Sequence, residues 1–126
     1  MKELTKAEEQ IMHELWRLEK AFVNDILEQF PEPRPAYNTV STIVRILERK
    51  GFVGHEAFGK SHQYFPVVTK KEYSQHLVKN LAGNYFSNSV KQMFSFFSRE
   101  KKLSLSELEE LKQLIEKEIE QKSTNQ

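Results

Sequence analysis

The chain contains no cysteine among its 126 residues, which excludes disulfides, thiolate metal sites and a thiol nucleophile. No apolar run approaches the roughly 18 residues needed to cross a bilayer. With no apolar segment at the N-terminus, no signal peptide is expected and a cytoplasmic location is. Neither sign of charge dominates: 19 Lys and Arg stand against 18 Asp and Glu, so the chain is neither a polycation nor an acidic tail. Internal repeats, low-complexity stretches and a Gly-rich phosphate loop are missing too. His13, His55, His62 and His76 fall into no His-x-x-x-His or Glu-x-x-His spacing, and no serine sits in a nucleophile-elbow context. Catalysis, a metal and a cofactor are therefore not expected.

What is present is 38% apolar and 29% charged residues, with a mean hydropathy of -0.65. Such a chain suits one compact domain or a small domain with an appendage; it buries a modest core and keeps much surface per residue, which fits an elongated, helix-rich shape or an oligomer better than a sphere.

Thr5-Lys6-Ala7-Glu8 has the form of a capping box, the threonine capping the helix start and Glu8 reaching back to it. Ala7, Ile11, Leu15 and Leu18 then follow at helical spacing as one buried face, broadened by Met12 and Trp16. Glu8 and Glu9 read as first-turn charges favoured by the helix dipole. A second amphipathic stretch carries Phe22, Val23, Ile26, Leu27 and Phe30 and must stop at Pro31-Glu32-Pro33-Arg34-Pro35.

The third stretch, Ala36 to Lys50, is the most informative. Val40, Ile43, Val44 and Leu47 point one way and bury, while Asn38, Thr42, Arg45 and Arg49 share a narrow arc on the opposite side, flanked by Thr39 and Ser41. A solvated helix face favours Glu, Lys and Gln; short hydroxyls and amides are mediocre helix formers that lie close to the backbone. Their presence points to major-groove readout of DNA. Arg45 suits guanine O6 and N7, Asn38 adenine or phosphate, Ser41 and Thr42 phosphate or a thymine methyl, and Arg49 phosphate. The alternative is a solvated face with no ligand. Lys50-Gly51 closes the helix, glycine being free to turn left-handed.

After Gly51 the period changes. Phe52 to Ala57 and Ser61 to Pro66 are β-like runs around Phe58-Gly59-Lys60, a hairpin with a basic tip. Three helices followed by a hairpin is the winged helix-turn-helix order, with the third helix in the recognition position. Lys60 and His62 suit a phosphate or the adjacent minor groove, although a solvated turn explains His62 equally well. Tyr37 either touches backbone phosphate or staples the helix start to the core. From Arg34 to Lys60 five Lys or Arg outnumber two Glu, a local excess that favours phosphate, and tight binding would combine two such patches in a dimer.

The remainder, from Thr69, reads as helical to Phe97 and crowds aromatics between Tyr85 and Phe97. A second capping box, Ser104 to Glu107, starts a last helix with a Leu108, Leu111, Ile115, Ile119 stripe. Short helices cannot hide so many aromatics alone, so Tyr85, Phe86, Met93, Phe94, Phe97, Leu108, Leu111 and Ile115 are expected at a two-fold dimer interface. The expected architecture is mainly α with a small β-hairpin: a winged helix-turn-helix domain over 1–68 and a helical dimerisation domain over 69–126, the border lying near Val67 to Lys71.

Leu4-Thr5-Lys6-Ala7-Glu8 with Ile11-Met12 and Leu15-Trp16, then Tyr37-Asn38-Thr39-Val40-Ser41-Thr42-Ile43, Leu47 to Val53, and Gly59-Lys60 ahead of Tyr64 and Pro66 resemble the penicillinase-repressor family, also called the BlaI/MecI/CopY transcriptional repressors. A looser match continues through Leu103-Ser104 and Glu107 to Leu111. The resemblance implies a homodimeric winged-helix repressor whose third helices enter successive major grooves of a palindromic operator. Two departures stand out. Many relatives have an arginine where this chain has Ile46, and here Arg45 stands one place earlier. In antibiotic-responsive relatives, induction by a membrane sensor-protease cuts an Asn-Phe bond, and Phe96-Phe97 occupies that place, so the same protease is not implied. Copper-responsive relatives use cysteines in the C-terminal tail, which this chain lacks. A sequence-specific repressor acting on double-stranded DNA is the expected function, with a winged-helix protein-interaction module as the alternative.

Overall fold

A computed structural model describes residues 1–125. The order of elements is α1 (Lys6–Leu18), α2 (Val23–Leu27), α3 (Tyr37–Arg49), β1 (Val53–Phe58), β2 (Ser61–Pro66), α4 (Lys70–Phe86), α5 (Val90–Lys101) and α6 (Leu105–Thr124). This is the winged-helix order followed by helices. The chain divides into two compact units, Met1–Asn80 and Leu81–Gln126.

In the first unit, α1 starts at a capping box: the Thr5 hydroxyl accepts from the Glu8 N–H, and the Glu8 carboxylate accepts from the Thr5 N–H. Its buried stripe is the one expected except at Ala7. Ala7 is exposed and Glu8 takes its place at the start, while Ile11, Met12 and Leu15 are buried and Trp16 and Leu18 pack half-buried against the core. Glu8 is paired over a long range. Lys50 Nζ, at the end of α3, lies 2.8 and 2.9 Å from the two Glu8 carboxylate oxygens, holding the Glu8 side chain against the protein. Burial alone would raise the Glu8 pKa; the bonds from Lys50 and Thr5 outweigh it and hold the carboxyl below its ordinary value.

α2 is shorter than its apolar pattern, covering Val23–Leu27 only, with Asp25 accepting from the Phe22 N–H at its start. α3 buries Val40, Val44 and Leu47 and half-buries Ile43. Gly51, at φ 84°, lets the chain turn back so that the Phe52 N–H bonds the Leu47 carbonyl. The side chains of Phe52, Met12, Leu15, Ile26, Leu47, Val40 and Val44 are fully buried, each worth about 1.5–3 kcal/mol of transfer free energy.

β1 and β2 pair antiparallel, Val53 opposite Pro66 through Phe58 opposite Ser61. The turn is Gly59-Lys60, with Gly59 at φ 62° as a hairpin of this kind requires. Ala21 adds a bridge to Tyr64, with hydrogen bonds of 2.9 and 2.8 Å in the two directions. The hairpin is thereby tied to the α1–α2 connection.

The first unit runs past the expected border near Val67 to Lys71, taking in the start of α4. Tyr73 is 2% exposed, packs on Phe52 and Trp16, and accepts a 2.8 Å bond from the Leu4 N–H. The Trp16 indole donates to the Val68 carbonyl at 2.9 Å. A polar-looking helix start thus carries one tyrosine that completes the core.

In the second unit, the helical pattern expected to Phe97 is realised as two helices, α4 and α5. Ser87 and Asn88 adopt positive φ, and the Ser89 side chain caps α5. The Phe86 and Phe96 rings lie 5.6 Å apart. The capping box of α6 forms at Ser104 and Glu107. Neither α5 nor α6 has a buried residue. Among the described residues, no helix is long and apolar enough to cross a membrane.

Candidate nucleic-acid interface

The outer face of α3 follows from the burial of the inner one. Val40, Val44 and Leu47 lock the helix by its apolar side, and Asn38, Thr39, Thr42, Arg45 and Arg49 are left exposed. Tyr37 is half exposed at the first turn. Ser41 departs from the expectation: it is 9% exposed and lines a cleft instead of standing on the outer surface. One residue of helix rotation separates it from Thr42, enough to turn it toward the hairpin side.

The start of α3 is open. Its N-cap is Ala36, which offers no side-chain acceptor, whereas Thr5, Ser89 and Ser104 cap α1, α5 and α6. No acidic residue lies in the first turn of α3. Free N–H groups at the positive end of a helix dipole suit an anion.

The cations of this region divide into two sets. Lys50 is bound to Glu8, and Arg34 lies 3.9 Å from Glu32. Arg45, Arg49 and Lys60 have no carboxylate within ion-pair distance among the described residues. The local positive excess counted along the sequence thus reduces to three free cations, and these three lie at the candidate face.

Between α2, α3 and the hairpin runs a cleft of about 510 Å³. Tyr37, Ser41 and Arg45 line it from α3, Lys60, Ser61 and His62 from the hairpin, and Asn24 and Asp25 from α2, with Tyr64 at its floor. Burial raises the Tyr64 phenol above its ordinary pKa, the Glu48 carboxylate adds to the rise, and the Arg45 guanidinium opposes it. Tyr64 is therefore a neutral hydrogen-bonding group beside an arginine that has no carboxylate partner among the described residues. The Phe22 and Phe58 rings meet edge to face at 5.9 Å at the mouth.

Two features of the site escaped sequence reasoning. The His55 and His62 rings stack 4.1 Å apart at an interplanar angle of 9°, and Glu48 of α3 bonds the His55 Nδ1 at 2.5 Å. The signal for the stack was in the hairpin register. Closing the turn at Gly59-Lys60 places His55 opposite Tyr64 and Ala57 opposite His62, so both imidazoles share one sheet face as diagonal neighbours. The Glu48 contact has no local signal. Among the described residues, no group of three or more His, Asp or Glu is placed to hold a metal ion.

The residues expected at a dimer interface lie in the last three helices, and most are open to solvent. Tyr85 is 76%, Phe94 41%, Phe97 48%, Leu108 39% and Ile115 52% exposed, and Phe86, Met93 and Leu111 are half-buried. Phe96 and Phe97 sit inside α5 with about half of each side chain in solvent.

The family described as penicillinase repressor matches residues 4–117. Among curated proteins, the methicillin resistance regulatory protein MecI of Mammaliicoccus sciuri is 26% identical over 116 residues, covering 91% of this chain and 94% of its own length. MecI of Staphylococcus aureus strain N315 is 25% identical over the same extent. The penicillinase repressor of Bacillus licheniformis is 21% identical over 115 residues, 90% of each chain.

Proposed function

The chain belongs to the penicillinase repressor family of transcription regulators, and from that membership we propose that it is a homodimeric repressor that reads a palindromic DNA operator with α3. The observation that carries the reading is the outer face of α3, where Asn38, Thr39, Thr42 and Arg45 stand exposed on a helix locked by its opposite side. In this reading Arg45 presents its fork to guanine, Asn38 and Thr42 contact neighbouring base edges, and Arg49 and Lys60 take phosphates. The open start of α3 and the Tyr37 hydroxyl receive the sugar-phosphate backbone. Ser41 acts from within the cleft, and His62 lines the path of the strand.

One such surface has three free cations, too few for tight binding at physiological salt, so two copies must act together. The apolar side chains from Tyr85 to Ile119 support that pairing. They include Tyr85, Phe94, Phe97, Leu108 and Ile115, all open in a unit without a buried residue in α5 or α6. Relief of repression by cutting between Phe96 and Phe97 is a further part of the proposal. A helix with no buried residue opens locally at low cost, which a protease requires. Mass spectrometry of the repressor after exposure to a candidate membrane sensor-protease tests that step, and an intact chain would refute it.

The test of the main reading is selection from a pool of random duplexes with the purified chain. Enrichment of a palindrome with half-sites about one helical turn apart is the expected result. Recovery of no preferred sequence by a folded protein would overturn it and favour a protein-interaction role.

A further inference from the structure

The stacked histidines of the hairpin are not used by the base-reading face, and their surroundings are unusual for a solvated turn. We infer that His55 and His62 form a shared proton site linked to DNA binding, so that the occupied interface holds one more proton than the free one; this rests on the DNA-binding reading above. Histidine is the side chain whose charge ordinarily changes between about pH 5 and 8. Two parallel imidazoles at 4.1 Å cannot both carry charge without repulsion.

Every neighbour bears on where those protons sit. Glu48 on α3 bonds His55 Nδ1 and draws the first proton to that ring. His62 faces the cleft together with Arg45 and Tyr37 of α3, Asp25 of α2, and Lys60 and Tyr64 of the hairpin. Arg45, Lys60 and a charged His55 oppose a second proton on His62, and Asp25 and the more distant Glu48 favour it. Tyr64, its phenol raised by burial, stays neutral in this range. In the cleft without DNA, two cations, Arg45 and Lys60, stand against the single carboxylate of Asp25. A phosphodiester strand entering the cleft adds negative charge beside His62 and reverses that balance, and the proton comes from solvent.

Glu48 is a positioning residue in this arrangement. It ties the hairpin to α3 through His55, and the stack holds the His62 ring against the wall of the cleft. The geometry also separates His62 from His13 and His76, which lie outside the cleft and take no part.

The experiment measures affinity for a fluorescent random-sequence duplex at low salt across the pH range, and proton uptake by calorimetry in two buffers of different ionisation enthalpy. The parent chain is expected to bind more weakly as pH rises, by roughly threefold or more between pH about 6 and about 7.5, with measurable proton uptake. His62→Phe keeps a stacked ring without a proton site and should bind with a flat pH profile. Glu48→Gln should flatten the profile in part while the protein still binds at high pH. Strong binding that is independent of pH in the parent, or a slope that survives in His62→Phe, overturns the proton site and leaves the DNA-binding reading intact. No duplex binding at any pH overturns both.

Discussion

Lys50→Met separates two effects that the fold combines: closing α3 and neutralising a buried carboxylate. The Lys50 side chain is 22% exposed and that of Glu8 5%, so methionine keeps most of the packing and removes the charge. Breaking a buried ion pair by deleting one partner costs about 3–5 kcal/mol, because the other charge is stranded. Here Glu8 keeps its 2.8 Å bond from the Thr5 N–H, and water reaches the space near Lys50, so the cost falls toward about 2–3 kcal/mol. For a unit the size of Met1–Asn80 that corresponds to a fall in Tm of roughly 8–24 °C.

The sign of the pH dependence follows from the direction of the Glu8 shift. Its carboxyl is held below the ordinary value in the folded protein, so its contribution is complete above the unfolded pKa of about 4.3. It is lost as pH falls through the folded value. The Lys50→Met penalty should therefore be largest at neutral pH and shrink in acid, where the stranded carboxyl takes up a proton. Urea melts of the parent and the variant at pH about 7 and about 3.5 measure this. A variant within about 0.5 kcal/mol of the parent at neutral pH, or a penalty that stays constant in acid, would show that Glu8 and Lys50 do not carry the α1–α3 junction.

Other outcomes follow from the same geometry. Tyr73→Phe leaves the buried Leu4 N–H without its acceptor and should cost about 1–2 kcal/mol in a denaturant melt; no change would mean that water replaces the phenol. Ile115→Asp or Phe94→Asp should convert a sedimenting dimer to a 14.9 kDa species while leaving the melting of the first unit in place. A dimer that persists in both variants would place the interface elsewhere. Lys60→Ala and Arg49→Ala should weaken duplex binding evenly across sequences, each lowering the salt slope by about one. An unchanged slope would remove those residues from phosphate contact.

The elements of the first unit could be read from local chemistry. The capping box at Thr5, the apolar stripe of α3, Gly51 and the Gly59-Lys60 turn each act within a few residues and announced themselves. What could not be read depends on partners far along the chain. Glu8 stands in place of Ala7 on the inner face of α1, paired with Lys50 at the end of another helix. Tyr73 extended the first unit into α4 because its hydroxyl meets the Leu4 backbone, and nothing in the neighbourhood of Tyr73 signals that. Ser41 sits in the cleft between α2, α3 and the hairpin instead of on the outer face, since one residue of rotation about the helix axis separates it from Thr42 and only the packed neighbours show on which side that falls. In the second unit the positive φ of Ser87 and Asn88 separates α4 from α5, and the sequence did not place that break, since asparagine tolerates such backbone without glycine's signature.

The central claim is that the outward side of α3 reads base edges, and parallel duplex selection with the parent chain and Arg45→Ala tests it most directly. The account predicts that both enrich the same symmetric site, with preference relaxed by about 1–3 kcal/mol at one base pair in each half-site of the variant. Identical preferences at every position in the two selections would contradict it.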